Sequence, residues 1–305
     1  MGLRMRTNVA SLNAQRNLGI TTENLKSSMG RLSSGQRINK AADDAAGLAI
    51  SERLRADIRS LGQAKRNTQD GVSMVQVAEG GLEETSNMLI RLRELSVQAA
   101  SDTVGNLERG YLNQEFQALR DEIDRIAAVT EFNGTRLLVG NAELPDDLKT
   151  NHNPVPLEIQ VSKDYYESAD SLDQRNPVNV IRIDLQGINA FTTGEGSLDI
   201  GNSEDIGIDT KQAAQAKLTV LDGAINKVNQ YRAYLGSIQN RLGSTLGNLG
   251  VEIENLSESR SRIRDTDFAE ETAVMTQNNI LQQAGASVLG QANVMPQIAL
   301  SLLGG

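Results

Sequence analysis

The sequence predicts a mainly α protein: a long antiparallel coiled-coil or helical rod formed by both chain ends, with a small β-hairpin-rich middle. Three observations predict it. Apolar residues follow a 4-3 ladder from Ala214 to Ile263, broken only at Arg232, Gln239 and Arg260. A stripe held for about seven heptads is a coiled-coil seam rather than one face of a compact globular helix, and at about 1.5 Å per residue it runs to roughly 75 Å. Four of the five prolines, Pro145, Pro154, Pro156 and Pro177, lie in the middle, while residues 1–140 have none. Long uninterrupted helices are therefore allowed on both sides of the middle. From about residue 132 the periodicity changes to that of strands and turns.

Taken in order, the N-terminal segment carries Leu18, Leu25 and Leu32 at seven-residue spacing, with Met29 between the last two. A second ladder includes Leu82, Leu89, Leu92 and Ala99, and a third runs Leu112, Phe116, Leu119, Ile123 and Ile126. These supply partners for the long 214–263 seam, so an antiparallel bundle follows. Phe132-Asn133-Gly134 is a turn signal; Leu157 to Val161 alternates apolar and polar, and Val178 to Leu185 is a second strand candidate. Residues 187–210, rich in Gly, Asp, Ser and Thr, read as turns with short strands.

The C-terminal segment is the most informative. Val274, Leu281, Val288, Met295 and Leu302 recur every seven residues, and residues 272–305 contain no Asp, Glu, Lys, Arg or His. A solvated helix normally carries charge on its outer face. This segment is too polar for a bilayer span and too uncharged for a free surface. Two readings fit: a buried central helix, or a helix buried only when many copies assemble.

Composition excludes most chemistry. The 305 residues carry 30 basic and 39 acidic side chains, a net charge of −9, with one histidine, no cysteine and no tryptophan. Thiol nucleophiles, disulfides, Cys-based zinc sites and iron–sulfur clusters are impossible, as is any site needing two imidazoles. The negative balance argues against nucleic acid as a partner, and no segment approaches the roughly 18 apolar residues of a membrane span. Met1 to Ala14 shows no apolar signal-peptide region. The average hides a contrast: residues 1–70 carry a net +6, whereas 131–211 carry a net −9. The acidic, turn-rich middle reads as a solvent face.

Candidate catalytic groups have no constellation around them. His152 lies in Asn151-His152-Asn153-Pro154 with no partner motif. Asp43 and Asp44, read as helical neighbours, would point about 100° apart, which argues against a shared proton or metal. Asp265-x-Asp267 lacks the Gly and distal Glu of a calcium loop, and no phosphate-binding or dinucleotide fingerprint occurs. The sequence predicts neither an enzyme nor a cofactor.

The stretch from Leu32 to Leu48, paired with Ile263 to Phe268 and Gln291 to Pro296 at the far end, resembles the terminal motifs of bacterial flagellin. Leu32-Ser33-Ser34-Gly35-Gln36-Arg37-Ile38-Asn39-Lys40-Ala41-Ala42-Asp43-Asp44-Ala45-Ala46-Gly47-Leu48 is similar to the family's N-terminal motif. Arg91-Leu92-Arg93-Glu94-Leu95-Ser96-Val97-Gln98 and Phe132-Asn133-Gly134-Thr135-Arg136 follow in the expected places. Ile263-Arg264-Asp265-Thr266-Asp267-Phe268 and Gln291-Ala292-Asn293-Val294-Met295-Pro296 resemble the C-terminal motif.

The resemblance implies an inner coiled-coil domain of residues 1–43 with 268–305, forming the filament core. It also implies a helical rod of 44–140 with 212–267, and a β-rich middle, 131–211, on the outer face in place of large outer domains. It implies a secreted subunit of the bacterial flagellum, exported unfolded by the flagellar type III secretion system and assembled through its terminal helices into a helical homopolymer for motility. The implied assembly seam is Leu18, Leu25, Met29, Leu32, Val274, Leu281, Val288, Met295 and Leu302. The implied partners are further copies, an export chaperone, and hook-associated junction and cap proteins, with no nucleic acid and no membrane insertion. Contact with Toll-like receptor 5 of a host is implied through Arg91, Leu95, Gln98 and Glu115. The competing readings are a hook–filament junction protein of the same family and a soluble coiled-coil adaptor.

Overall fold

In the computed structural model the described residues are 8–140, 156–164, 179–194, 196–201 and 207–303, with side chains through 294. Among them are five helices and two small antiparallel sheets. The helices are α1 (Val9–Ser34), α2 (Ala45–Ala99), α3 (Asn106–Val129), α4 (Lys211–Arg264) and α5 (Phe268–Leu303). The strands are β1 (Glu131–Phe132), β2 (Thr135–Arg136), β3 (Leu157–Gln160) and β4 (Val180–Ile183). The chain divides into two compact units, residues 1–58 with 254–305 and residues 59–253. The expected boundary at 43/44 lies in the turn before α2, and that at 267/268 lies at the start of α5. His152 lies outside the described residues, and so does Val178, the first residue of the second strand candidate.

Helix ends in the first unit are closed by short polar side chains. The Asn8 side chain accepts a hydrogen bond from the Ser11 N–H at 3.1 Å, capping α1. Gly35 ends that helix in the left-handed conformation, φ 67°, which a residue with a Cβ adopts only at a cost. Asp43 and Asp44 are not helical neighbours. They lie in the turn before α2, where backbone donors claim both carboxylates. Asp43 accepts from Asn39 and Lys40, and Asp44 accepts from Gly47 at 2.9 Å. Asp267 caps α5 by accepting from the Ala269 N–H at 2.8 Å.

The second unit holds the large core. Leu82, Leu89, Leu92, Phe116, Ile123, Leu221, Val228, Leu235 and Leu242 are all fully buried in one cluster. Every one of the fifteen ladder positions from Ala214 to Ile263 is buried or half-buried, including Arg232, Gln239 and Arg260. Ion pairs Arg93–Asp222 and Arg232–Glu79 set α4 antiparallel to α2, and Arg91–Glu115 sets α3 antiparallel to α2. Buried Arg109 finishes α2, donating to the Ala99 and Ser101 carbonyls, both at 2.8 Å. The Ala99 carbonyl is among the last of the helix and has no partner inside it, so the guanidinium supplies one.

The β-rich middle is held on these helices by polar anchors. β1 and β2 join through Asn133 (φ 52°) and Gly134 (φ 76°), the two-residue turn that Asn-Gly favours. β3 and β4 pair from Leu157↔Ile183 to Gln160↔Val180. The Asp184 N–H donates to the Tyr234 hydroxyl, the Thr192 N–H and hydroxyl donate to Asp124, and buried Lys217 donates to the Ile200 carbonyl. Ile183, Leu185, Ile188, Leu198 and Ile200 complete the core beneath them.

Candidate assembly surface

α1 and α5 pair antiparallel in the first unit. On α1 the inward positions are Ser11, Ala14, Leu18, Thr21, Leu25, Ser28 and Leu32; on α5 they are Glu271, Met275, Asn278, Gln282, Gly285, Leu289 and Ala292. Both sets follow strict 4-3 spacing, and most members are small or polar. Cross-contacts fix the direction: Asn8 donates to the Ala292 carbonyl at 2.8 Å, Ser11 bonds Asn293 at 2.8 Å, and Arg31 lies 3.6 Å from Glu271. Large apolar residues at heptad spacing mark only Leu18, Leu25 and Leu32 of this seam. The signal for the rest is the spacing itself, carried by Ser, Thr, Asn, Gln, Gly and Ala.

The expected seam residues divide between two faces. Leu25 is buried, and Leu18 and Leu32 are half-buried against α5. Met29 points outward at 55% exposed. Val274, Leu281 and Val288 also point outward, at 39%, 48% and 54% exposed, one position round the helix from the α1-facing Met275, Gln282 and Leu289. Met295 and Leu302 lie in α5, where their side chains are outside the described residues. Over residues 268–281 the outward side of α5 is an open, mainly apolar surface lined by Phe268, Ala269, Thr272, Ala273, Thr276, Gln277, Ile280 and Leu281. Large apolar residues grouped on an exposed face mark an interaction site. Past Glu271 no charge on α5 stands in the way.

Where α1, α2, α4 and α5 begin or end, a latch forms. The Arg37 N–H donates to the Arg264 carbonyl at 2.7 Å, and the Thr266 N–H donates to the Gly35 carbonyl at 3.1 Å. The Arg264 guanidinium binds Gln36 at 3.1 Å and makes a short ion pair with Glu52. That contact holds the Glu52 carboxyl below its ordinary pKa. The backbone N–H groups of Lys40 and Asn39 do the same for Asp43.

In the second unit Arg91 bridges Glu115 at 2.8 Å and Glu94 at 3.0 Å, and Gln98 is exposed about two turns beyond Arg91 along α2. Leu95, between them in sequence, turns inward and is 1% exposed. The structure thus presents Arg91, Gln98 and Glu115 outward and places Leu95 in the core beneath. Among the described residues no group of three or more His, Cys, Asp or Glu could hold a metal ion, and no helix is long and apolar enough to cross a membrane.

The model of the bacterial flagellin N-terminal helical region matches residues 5–143, and that of the C-terminal helical region matches residues 218–303. The chain is 41% identical to a flagellin of Bacillus subtilis (strain 168), covering 99% of this chain and all of that one. It is 40% identical to the flagellar filament 33 kDa core protein of Treponema phagedenis, covering 97% and 98%. A putative flagellar hook-associated protein from Vibrio parahaemolyticus shares the fold, with a TM-score of 0.54 at 15% identity over 73% of this chain and 100% of that one. The chain belongs to the bacterial flagellin family, structural filament proteins rather than enzymes.

Proposed function

We propose that this chain polymerises through its terminal helices into the extracellular filament of the bacterial flagellum. The carrying observation is α5, whose 272–305 segment is free of charge while Val274, Ile280, Leu281 and Val288 face away from α1. In the filament, further copies supply the hydrophobic gain from covering that face. Subunits related by a rotation that does not close form a helical polymer. The α1–α5 pair buries few large side chains, and isolated helix pairs of this kind are marginal in water. The ends therefore order on assembly, and the same loose state suits unfolded export by the flagellar type III secretion system. An export chaperone would cover α5 before assembly, and hook-associated junction and cap proteins would bound the filament.

The test mixes monomer with short filament seeds and follows growth by electron microscopy. Elongation with rising helical circular dichroism is expected; failure to elongate at any concentration refutes the proposal. Contact with Toll-like receptor 5 is a second reading. It is favoured by the Arg91–Glu115 pair displayed beside Gln98 on the second unit, with Leu95 supporting α2 from below. An Arg91→Ala monomer that binds the receptor ectodomain as tightly as the parent would remove it.

A further inference from the structure

The seam between α1 and α5 does not by itself choose a register. Leu18, Leu25 and Leu32 occupy the layers of Gly285, Asn278 and Glu271. Sliding α5 by one heptad would place the same leucines level with Ala292, Gly285 and Asn278. Each leucine again meets a small or polar residue, so the three leucines by themselves do not choose between the alignments. The hydrophobic effect follows area and has no direction, and in these three layers it does not separate the two.

Polar chemistry at the two ends of the pair does separate them. At one end Arg264 joins three segments: its guanidinium holds Gln36 and Glu52, and its carbonyl accepts from the Arg37 N–H. At the other end Asn8 and Ser11 bind the Ala292 carbonyl and the Asn293 side chain. The Arg31–Glu271 pair between them is looser, at 3.6 Å, and leaves Arg31 Nε and Glu271 Oε1 without a partner. A one-heptad slip moves the helices by about 10 Å and breaks both end clusters together. Glu52, on α2, stays beside the Arg264 guanidinium, so what the slip removes at this end are the contacts from the α1 side, Gln36 to the guanidinium and the Arg37 N–H to the carbonyl.

We propose that Arg264 is a positioning residue that sets the register of α1 on α5, with Asn8, Ser11 and Asn293 as a second stop at the far end. A single polar contact is known to select register in coiled coils whose apolar pattern is degenerate. The proposal rests on the filament reading, because register decides which outward apolar residues of α5 stand level with those of α1 at the copy-to-copy contact.

The chain has no cysteine, so introduced pairs report register directly. A Cβ built on Gly285 lies 4.0 Å from the Leu18 Cβ, within the disulfide range of about 3.5–4.5 Å. Leu18→Cys with Gly285→Cys reports the register seen here, and Leu18→Cys with Ala292→Cys reports the slipped one. Both pairs are placed in the full chain, grown from seeds and oxidised as filaments. With the end contacts intact, only the 18–285 bond should form. In a chain also carrying Arg264→Ala, Asn8→Ala, Ser11→Ala and Asn293→Ala, the 18–292 bond should appear in comparable amount. Arg264→Lys keeps the charge near Glu52 but lacks the fork that also reaches Gln36, and should give a partial shift. An unlocked chain that forms only the 18–285 bond overturns the proposal. So does an unlocked chain that fails to enter filaments even when diluted into the parent, since these residues would then hold the pair together rather than choose its register. If the cysteine-free parent itself does not elongate, the filament reading has failed instead.

Discussion

The core of the second unit and the α1–α5 pair are both built on 4-3 spacing, yet they use it differently. In the core, Leu82, Leu89, Leu92, Phe116, Leu221 and Leu235 fill the inward positions and are fully buried within one chain. In the α1–α5 pair, Ser11, Thr21, Ser28, Asn278, Gln282 and Gly285 take the corresponding places, and the large residues Met29, Ile280, Leu281 and Val288 face outward. The first arrangement is complete in a monomer. The second leaves its greatest apolar area unspent until other copies arrive. The difference teaches that heptad spacing locates a helix contact, whereas side-chain size at those positions tells whether the contact is made within one chain or between chains.

The sharpest way to break this comparison is to delete residues 272–305. Polymerisation onto seeds should be abolished while the 59–253 unit keeps its cooperative thermal transition; growth of filaments by the truncated chain would sink it. Next comes Leu281→Asp or Val288→Asp. Each puts a charge on the outward face, so seed elongation should be lost with monomer stability unchanged in urea, because a charge in a dry contact is strongly unfavourable while the same charge in water is not.

Phe116→Ala tests the opposite side. It should lower the unfolding free energy by about 3–5 kcal/mol, measured by urea denaturation, since the ring is fully buried and leaves a cavity. A loss below about 1 kcal/mol would mean the core repacks around the gap.

The smallest expected effect concerns pH. Glu52 is held below its ordinary pKa first by the Arg264 hydrogen bond, and Asp43 by the backbone N–H groups of Lys40 and Asn39. A carboxyl depressed in the folded state binds fewer protons there than when unfolded. Its contribution is present above the unfolded values, about 4, and fades as pH falls through the folded values. Amide exchange at Arg37 and Thr266 in filaments should stay slow from pH 7 to 5 and accelerate below about 4. Exchange in Glu52→Gln that keeps the full acid response of the parent would assign the response elsewhere.

Much of the fold is legible in the residues because local and global preferences agree. The 214–263 ladder, the absence of proline before residue 140 and the Asn133-Gly134 turn each demand what the structure adopts. Asp43 and Asp44 show where local reading fails: read as helical neighbours, they instead serve as acceptors in the turn before α2. The assembly surface is half legible. The uncharged stretch after Glu271 announces a helix that cannot stay in water alone, but the face that α1 covers mixes Met275 and Leu289 with Asn278, Gln282, Gly285 and Ala292, so a ladder of large apolar residues does not mark it.

Periodicity, proline placement and charge therefore determine by themselves that both ends are long helices and that strands and turns begin after residue 130. They act along the chain at short range, so they can be read along the chain. Which side of α5 meets α1, the inward turn of Leu95, and the meeting of Arg264 with Gln36 and Glu52 across more than 200 residues are decided only in three dimensions. A heptad names two adjacent faces of a helix almost equally well, and only the partner standing beside it chooses between them.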